Sequence, residues 1–427
     1  MYPKKEKTKI EKKFVIRNSV LTDIFDHHQT RNLYNFLAIF FICFSIHTLG
    51  SEYFITGRIT FGFGLIRKAF LHFDKAIFVW LCSFASVCAM FYVFKMWLIL
   101  TTFAKGKTII FYWFGATCLV LYYFCSLKLV TYAIRYFEFN VIGKFFLTYE
   151  QSRLLMKVHA FVRSKISNEP SGLSFSKYLY FLFAPTLIYR DTYPRTNTIN
   201  WKFVVQCLLE SITIFFVLTF CAMNTFPSPE RLAQKYTLSD VIFEFLDKIL
   251  YTPLALTQYF LVFHTVQNLF AEMLRFGDRL FYLDWWNQHS FNAWLTEWNI
   301  IVHDWLYYYI YRDFKEYVYD NTFLARVAVF LLSFGMHEWV VYCIVGGFFP
   351  ALLFAFMLML FPLSYFKFPK TNICNVLLWC FAILSLEIFI TGCGLEWYAL
   401  STSPLINPTL WEKILPRFLT CDCILKI

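Results

Sequence analysis

The chain has 427 residues, of which 59% are apolar and only 16% are charged, and its formal net charge is +11. Soluble domains have about 45–50% apolar and about 25% charged residues, so this composition excludes an ordinary soluble domain. The apolar residues are spread along the whole chain, which predicts a polytopic membrane protein of the all-α class.

The N-terminal segment, residues 1–31, is short and basic. Its first 17 residues hold seven lysines or arginines against Glu6 and Glu11. Before a first membrane span, such a segment predicts a cytosolic N-terminus under the positive-inside rule. We expect no cleavable signal peptide, because the first 30 residues contain no apolar core. We also expect no nucleic-acid binding, because no basic domain interleaved with aromatic residues follows.

Residues 32–427 form one predicted transmembrane domain. Apolar runs long enough to cross a bilayer lie at about 32–51, 76–104, 107–136, 201–223, 247–271, 322–345, 346–366 and 372–395. A ninth crossing is predicted at 138–164, because the basic loop 165–200 would otherwise lie in the lumen. This segment is only half apolar, so it can cross only if it is packed inside the protein. Nine crossings place the C-terminus in the lumen.

Residues 272–320 are too aromatic for an ordinary loop and too charged for a span that faces lipid. They include FYLDWWNQHS (281–290) and WNIIVHDWLYYYIYRDF (298–314). Polar backbone at membrane depth persists only where protein or water covers it. We therefore predict a re-entrant or membrane-dipping region on the cytosolic side, helical from about 293 to 312.

The apolar stretch LLSFGMHEWVVYCIV (331–345) contains a histidine and a glutamate, His337 and Glu338. A charged residue at the centre of a membrane helix costs about 2.5–3.5 kcal/mol to insert, so such residues are functional candidates. Helical spacing puts Ser333 and His337 on one face. Three interpretations of His337 are open: a buried histidine bonded to a neighbouring helix, part of a proton relay in a transporter, or a catalytic base.

Similar alternatives apply to the polar residues of 298–314. Asn299 and His303 share a helical face, but an asparagine after a tryptophan could serve only as a helix cap. His303 and Asp304 are adjacent, so on a helix they do not point at one ion, and we predict no metal site. Arg326 is a cation near these segments that could anchor at the interface or contact a polyphosphate.

A covalent route through Ser333 also stays open from spacing alone. The serine lies one helical turn before His337, and a nucleophile beside a base is the requirement for such a route. No GxSxG pattern surrounds it, however.

Five stretches resemble one family. LFAEMLRFGDRLFYLDWWN (269–287) contains the FYxDWWN motif of the sterol and diacylglycerol O-acyltransferase branch of the membrane-bound O-acyltransferases. WNIIVHDWLYYYIYRDF and LLSFGMHEWVV look like that family's Asn-bearing and His-bearing segments. KYLYFLFAPTLIYRDTYPRT (177–196) and EWYALSTSPLINPTLWEKILPR (396–417) are similar to two further stretches. Within the branch, VHDWLYYYIYRDF and the EWYA tail resemble the sterol enzymes.

The resemblance implies about nine transmembrane helices around an intramembrane reaction chamber, in the endoplasmic reticulum membrane. It implies transfer of a long-chain acyl group from acyl-CoA to the hydroxyl of a sterol such as cholesterol. Acyl-CoA would be a co-substrate, and no cofactor is expected. The expected partners are acyl-CoA, sterol, membrane lipids and further copies of the chain in a homodimer or homotetramer. The family's long N-terminal region, linked to self-association, is here only about 30 residues.

Residue roles follow from the resemblance by position. His337 is the family's catalytic histidine, Asn299 is its partner, and His264, in LVFHTVQNLFAEM, corresponds to an intramembrane histidine near the tunnels. The residues predicted to bind substrate are Trp298, Ser333, His264, Trp285, Asn287, His303, Glu338 and Arg326. Glu338 is also expected to orient the imidazole.

One position departs from the family, and two other functions stay open. Ser403 stands where many members have a cysteine, so a disulfide through that position cannot form. One alternative is an acyltransferase for diacylglycerol or another lipid alcohol. The other is a transporter with a relay of His337, Glu338 and His264, which the FYxDWWN segment disfavours.

Overall fold

The computed structural model describes residues 12–27, 70–103, 108–166, 170–225, 251–349, 371–404 and 415–421, with isolated positions between 30 and 57, 239 and 249, 363 and 370, and 409 and 412. In these ranges the regular structure is helical, and strand-like pairing is limited to the bridges Arg17–Asp278 and Arg195–Phe276. The predicted all-α class is therefore confirmed for the described part of the chain. The predicted span 32–51 and most of 346–366 lie outside the continuously described residues.

Four described helices are long and apolar enough to cross a membrane. They are α2 (Phe73–Phe103), α3 (Thr108–Tyr136), α10 (Thr322–Val345) and α11 (Asn372–Thr402). All four coincide with predicted spans, although α11 continues seven residues beyond the predicted end at 395. The predicted spans near 201–223 and 247–271 form α6 (Trp201–Thr225) and α7 (Tyr251–Met273), which pack against each other.

The half-apolar segment predicted as an extra crossing forms α4 (Val141–Lys165). This helix packs against α2, α3 and α10. Its buried side chains include polar ones such as Thr148, Gln151 and Lys157. The expected packing of this segment inside the protein is confirmed, and its crossing of the membrane stays a prediction.

Lys157 explains how α4 tolerates a buried cation. Its side chain is only 2% exposed. The ammonium donates to the carbonyls of Phe181 at 2.5 Å, Leu182 at 2.9 Å and Ala184 at 2.7 Å. These carbonyls end α5 (Phe175–Phe183), where a helix has acceptors without intrahelical partners. The buried lysine therefore caps α5 and holds it against α4.

The helical region predicted at about 293–312 is confirmed except for an interruption at residues 298–299. The structure has α8 (Phe291–Glu297), a break at residues 298–299, α9 (Ile300–Leu306), and then a π-helical turn at Tyr307–Tyr311. Asn299 is the N-cap of α9, with φ −145° and ψ 84°, and its side chain accepts a hydrogen bond from the N–H of Val302 at 3.2 Å. An asparagine that bonds nearby backbone in this way competes with a continuing helix.

The N-terminal segment is part of the fold. Residues 12–19 precede α1 (Val20–Asp26), and within them the backbone of Arg17 pairs with that of Gly277 and Arg279. We call residues 12–19 the N-terminal strap. The predicted division at residue 31 stays a prediction, but the strap packs on the domain that follows it.

Candidate active site

His337 lies midway along α10 and belongs to the exposed residues of that helix. Its Nδ1 lies 2.7 Å from the carbonyl oxygen of Ser333. A carbonyl oxygen only accepts, so Nδ1 donates in this contact, and Nε2 is the ring nitrogen that can act as a base. The predicted shared face of Ser333 and His337 is confirmed, and the backbone of Ser333 makes this contact.

Glu338, one residue further on, serves a different contact. Its side chain is 5% exposed, and Oε1 accepts a hydrogen bond from the N–H of Phe349 at 2.8 Å. Gly346, with φ 96°, ends α10 in a left-handed turn that returns the chain toward this carboxyl. The carboxyl therefore holds the segment after α10, and this contact replaces the expected direct orientation of the imidazole. Oε2 is buried and has no hydrogen-bond partner among the described residues.

Asn299 and His303 lie on α9, one helical turn apart. The N–H of His303 bonds to the carbonyl of Asn299 at 3.0 Å, which agrees with the predicted spacing although Asn299 is the cap. The cap uses Oδ1 of Asn299, whereas its Nδ2 is the side-chain group with protons to donate. Trp305 donates from Nε1 to the carbonyl of Met156 at 2.9 Å, so α9 is fixed on α4.

Asp304 on α9 has two basic neighbours, the adjacent His303 and Lys12 of the strap. The His303 side chain is 40% exposed, and its Nδ1 lies 3.7 Å from Oδ1 of Asp304, which is 18% exposed. Lys12 of the strap donates to Oδ2 of Asp304 at 2.5 Å. Burial opposes ionisation of Asp304, but His303 and Lys12 outweigh it and lower the pKa of this carboxyl. The carboxylate therefore stays charged and bonded to the strap at neutral pH.

Three tryptophans pack together around the break between α8 and α9. The Trp298 ring lies edge-on to Trp285 at 4.3 Å between centroids and stacked on Trp294 at 5.5 Å. Phe260 of α7 contacts Trp285 at 5.0 Å. Trp285 is buried, and its Nε1 has no hydrogen-bond partner among the described residues. Trp285 and Trp298, which were each predicted to bind substrate, are thus in direct contact.

Asn287 ends the same motif at the surface. It is exposed, and its Nδ2 lies 3.4 Å from Oδ2 of Asp284. The preceding Trp286 accepts at its carbonyl from Asn375 at 3.0 Å and from Trp379 at 3.2 Å, both on α11. The FYLDWWN segment is therefore anchored to α11 while its last residue faces outward.

His264 connects α7 to the FYLDWWN segment. Its Nδ1 lies 2.5 Å from the hydroxyl of Tyr282, a residue of that motif. Asn268, one turn further along α7, donates to the carbonyl of His264 at 2.9 Å. His264 is linked to Trp285 through neighbours, because Phe260 contacts both Tyr282 and Trp285. His337 stands on α10, which packs against the π-helical turn after α9.

Arg326 lies near the start of α10 and contacts an aromatic ring. Its guanidinium is 4.9 Å from the centroid of Tyr365. Among the described residues, no three His, Cys, Asp or Glu side chains lie close enough to hold a metal ion. The absence of a metal from the reaction stays a prediction.

Sequence reasoning missed the strap residues that reach this region: Lys12, Arg17 and Ser19. A basic tail indicates only a cytosolic location, and no local pattern relates Lys12 to Asp304, 292 positions away. At the other end of the chain, Ser403 accepts at its hydroxyl from Nη2 of Arg417 at 2.8 Å. The hydroxyl thus has a partner of its own at the position where many family members have a cysteine.

The comparison with known proteins identifies the class. The chain matches the profile of the MBOAT, membrane-bound O-acyltransferase family, over residues 72–394. It therefore belongs to the membrane-bound O-acyltransferase family and is a multi-pass membrane protein.

Among its relatives, sterol O-acyltransferase 1 of Mus musculus is 33% identical over 428 residues, which cover 96% of this chain and 79% of the mouse protein. Sterol O-acyltransferase 1 of Rattus norvegicus is 34% identical, covering 96% of this chain and 78% of the rat protein. Sterol O-acyltransferase 2 of Homo sapiens is 31% identical, covering 96% and 80%. The resemblance inferred from the motifs is confirmed.

Proposed function

We propose that this protein transfers a long-chain acyl group from acyl-CoA to the hydroxyl of a sterol, giving a steryl ester and free CoA. The observation that carries this proposal is the likeness to sterol O-acyltransferases over 96% of the chain. The exposed histidine on a membrane helix, whose Nε2 is the ring nitrogen that can act as a base, supports it.

In the proposed reaction His337 is the general base. Nε2 takes the proton of the sterol hydroxyl as the oxygen attacks the thioester carbonyl. The tetrahedral intermediate then expels the CoA sulfur, and the imidazolium returns the proton to it, so the reaction consumes and releases no net proton. A positioned base contributes about 10²–10⁴-fold to a rate.

Asn299 is proposed to stabilise the oxyanion. Its Oδ1 is held by the N–H of Val302, which directs the amide so that Nδ2 is the group left to donate. Loss of one such donor costs about 10²–10³-fold in other enzymes.

The remaining residues are proposed to bind substrate. Trp285 and Trp298 would give an apolar wall for the acyl chain, and Ser333 and His264 would line the chamber. Asn287, His303 and Arg326 would contact the polar CoA portion. Glu338 would act indirectly by holding the end of α10.

The proposed setting is the endoplasmic reticulum membrane. Nine transmembrane helices would enclose the chamber, with a cytosolic N-terminus and a catalytic domain over residues 32–427. The chain would work as a homodimer or homotetramer, and acyl-CoA would enter from the cytosol while the sterol arrives from the bilayer. No cofactor is proposed.

The test is an acceptor panel with purified protein. Labelled oleoyl-CoA is supplied with cholesterol, diacylglycerol or no acceptor, and labelled lipid products are separated. Steryl ester as the main product is expected. Triacylglycerol without steryl ester would refute the sterol assignment and favour the diacylglycerol alternative, whereas no acyl transfer to any acceptor would refute the proposed class of reaction.

A further inference from the structure

The N-terminal strap is the outermost of three segments whose backbones pair through isolated bridges. On one side of residues 276–279, the N–H of Arg17 bonds to the carbonyl of Gly277 at 2.9 Å, and the N–H of Arg279 bonds to the carbonyl of Arg17 at 3.3 Å. On the other side, the N–H of Gly277 bonds to the carbonyl of Pro194 at 2.9 Å. We call residues 276–287, which lead into and include FYLDWWN, the motif segment. Its first residues are thus held between the strap and the loop after α5.

Two ion pairs fix the strap to the segments that carry predicted site residues. The guanidinium of Arg17 donates two hydrogen bonds to the carboxylate of Asp278, 2.7 and 3.1 Å long, and the Asp278 side chain is only 2% exposed. Lys12 bonds to Asp304 at 2.5 Å, with side-chain exposures of 14% and 18%. Asp304 follows His303 on α9, so the strap connects the motif segment directly to the helix that Asn299 caps.

A third contact reaches α7. Ser19 is buried, and its hydroxyl accepts a hydrogen bond from Asn268 Nδ2 at 3.1 Å. Asn268 lies one turn from His264, whose ring contacts Tyr282 of the motif. The strap therefore contacts three separate elements, α7, the motif segment and α9.

Gly277 is required by the close approach of these segments. A Cβ atom at this position would lie 2.9 Å from Cγ1 of Ile16 and 3.0 Å from the carbonyl oxygen of Pro194. Distances this short are repulsive, and the carbonyl belongs to backbone that cannot rotate away. A methyl group here would clash with the Pro194 carbonyl on one side and with the Ile16 side chain of the strap on the other, so it would disturb the contact between the three segments without changing any charge.

We propose that residues 12–19 are a positioning segment of the acyl-CoA half of the active site. The inference rests on the proposed function. The strap holds together the elements that carry Trp285, Asn287 and His303, whereas His337 stands on α10. Loosening the strap should therefore weaken acyl-CoA binding more than acceptor binding, and loss of the Lys12 contact to α9 should also lower kcat, because Asn299 caps that helix.

The experiment measures acyl-CoA affinity separately from turnover. Full-length Lys12→Ala and Gly277→Ala proteins are purified as monodisperse samples beside Lys13→Ala, which removes an exposed neighbouring charge. Arg17→Ala is the less suitable variant, because it leaves the buried carboxylate of Asp278 without its partner. Binding of an oleoyl-CoA thioether, which cannot transfer its acyl group, is measured together with KM for each substrate and kcat.

For Lys12→Ala and Gly277→Ala we expect the Kd of the thioether and the KM for oleoyl-CoA to rise about tenfold, with the KM for sterol within about threefold. In Lys12→Ala we also expect a lower kcat, because the lost contact holds α9. Lys13→Ala should match the unmodified protein. The charge exchange Lys12→Asp with Asp304→Lys should recover most of the lost affinity, which a purely structural effect on folded yield would not predict.

Unchanged thioether affinity in both strap variants would overturn the inference, as would equal losses for both substrates. These outcomes are distinct from failure of the proposed function. In that case the unmodified protein itself would bind no thioether or form no steryl ester.

Discussion

The contact between His337 and Ser333 leads to opposite expectations for two neighbouring alanine variants. His337→Ala removes the proposed base. Ser333→Ala removes only a hydroxyl, because Nδ1 of His337 donates to the carbonyl of Ser333 at 2.7 Å. The backbone carbonyl, and with it the tautomer of the ring, is kept in the serine variant.

The magnitudes follow from this geometry. Loss of a positioned base costs about 10²–10⁴-fold, which corresponds to about 2.7–5.5 kcal/mol in the activation free energy. Ser333→Ala keeps the hydrogen bond that orients the imidazole, and alanine favours a helix by a few tenths of a kcal/mol over serine. We therefore expect Ser333→Ala to retain turnover within about threefold, or about 0.7 kcal/mol.

The assay is steryl ester formation per folded molecule. Both variants are purified in detergent, normalised to monodisperse protein, and compared at saturating oleoyl-CoA, with thioether affinity measured in parallel. Acyl-CoA affinity should be nearly unchanged in His337→Ala, because a base acts mainly on the transition state.

Two results would refute the reasoning. A Ser333→Ala protein as slow as His337→Ala would indicate an acyl-serine intermediate rather than direct transfer. A His337→Ala protein with more than about a tenth of normal turnover is incompatible with a base worth about 10²-fold or more.

Asn299→Ala should remove the α9 cap, which lowers the free energy of unfolding by about 1 kcal/mol, and should lower kcat by about 10²-fold. A lower melting temperature with an unchanged kcat would leave only the capping role. Lys157→Met should lower the free energy of unfolding by about 3–5 kcal/mol, because three buried carbonyls lose their donor; an unchanged melting temperature in detergent would contradict this. Glycosylation tags near residues 10, 170 and 425 should be modified only at 425, and modification at 170 without 425 would contradict nine crossings. Burial and Asp284 raise the pKa of Glu297 above its ordinary 4.5, so its charged form is costly in the folded state. Glu297→Gln should therefore raise the melting temperature at pH 7, where the carboxyl is ionised, and not at pH 4. An equal rise at both pH values would contradict this origin of the effect.

The sequence predicted best where one physical requirement dominates. Apolar length alone located α2, α3, α10 and α11 to within a few residues, apart from the longer end of α11, because a bilayer fixes the minimum length of a span. The α4 segment was placed by charge asymmetry, and its interior packing followed from its polar residues.

The interruption of the helical region at residues 298–299 was not predicted, because capping and helix continuation compete at Asn299. The aromatic run after Trp298 has helical character, but Asn299 uses its side chain to bond the backbone of Val302 and starts a new helix there. Propensity does not decide between a cap and a helical interior at one asparagine, so the noted capping alternative and the predicted helix could not be separated from sequence.

The partners of Glu338 and Arg17 could not be predicted from the sequence, because they depend on how distant parts of the chain fold together. Glu338 was expected to serve the adjacent imidazole, yet its partner is the N–H of Phe349, brought near by the left-handed turn at Gly346. Similarly, the pairing of Arg17 with Asp278 joins residues 261 positions apart. Neither spacing nor composition indicates such partners.

The length of chain between the strap and its partners has a consequence for biosynthesis. Lys12 and Asp304 are 292 positions apart, and ribosomes add about 5–20 residues per second, so about 15–60 s separate their synthesis. During that interval, helices from α2 to α7 emerge and can enter the membrane while the strap lacks its acceptors on the motif segment and α9. The proposed acyl-CoA half of the site can therefore be assembled only after about seven-tenths of the chain has been made, so a nascent chain that stalls earlier would have membrane helices and no complete site.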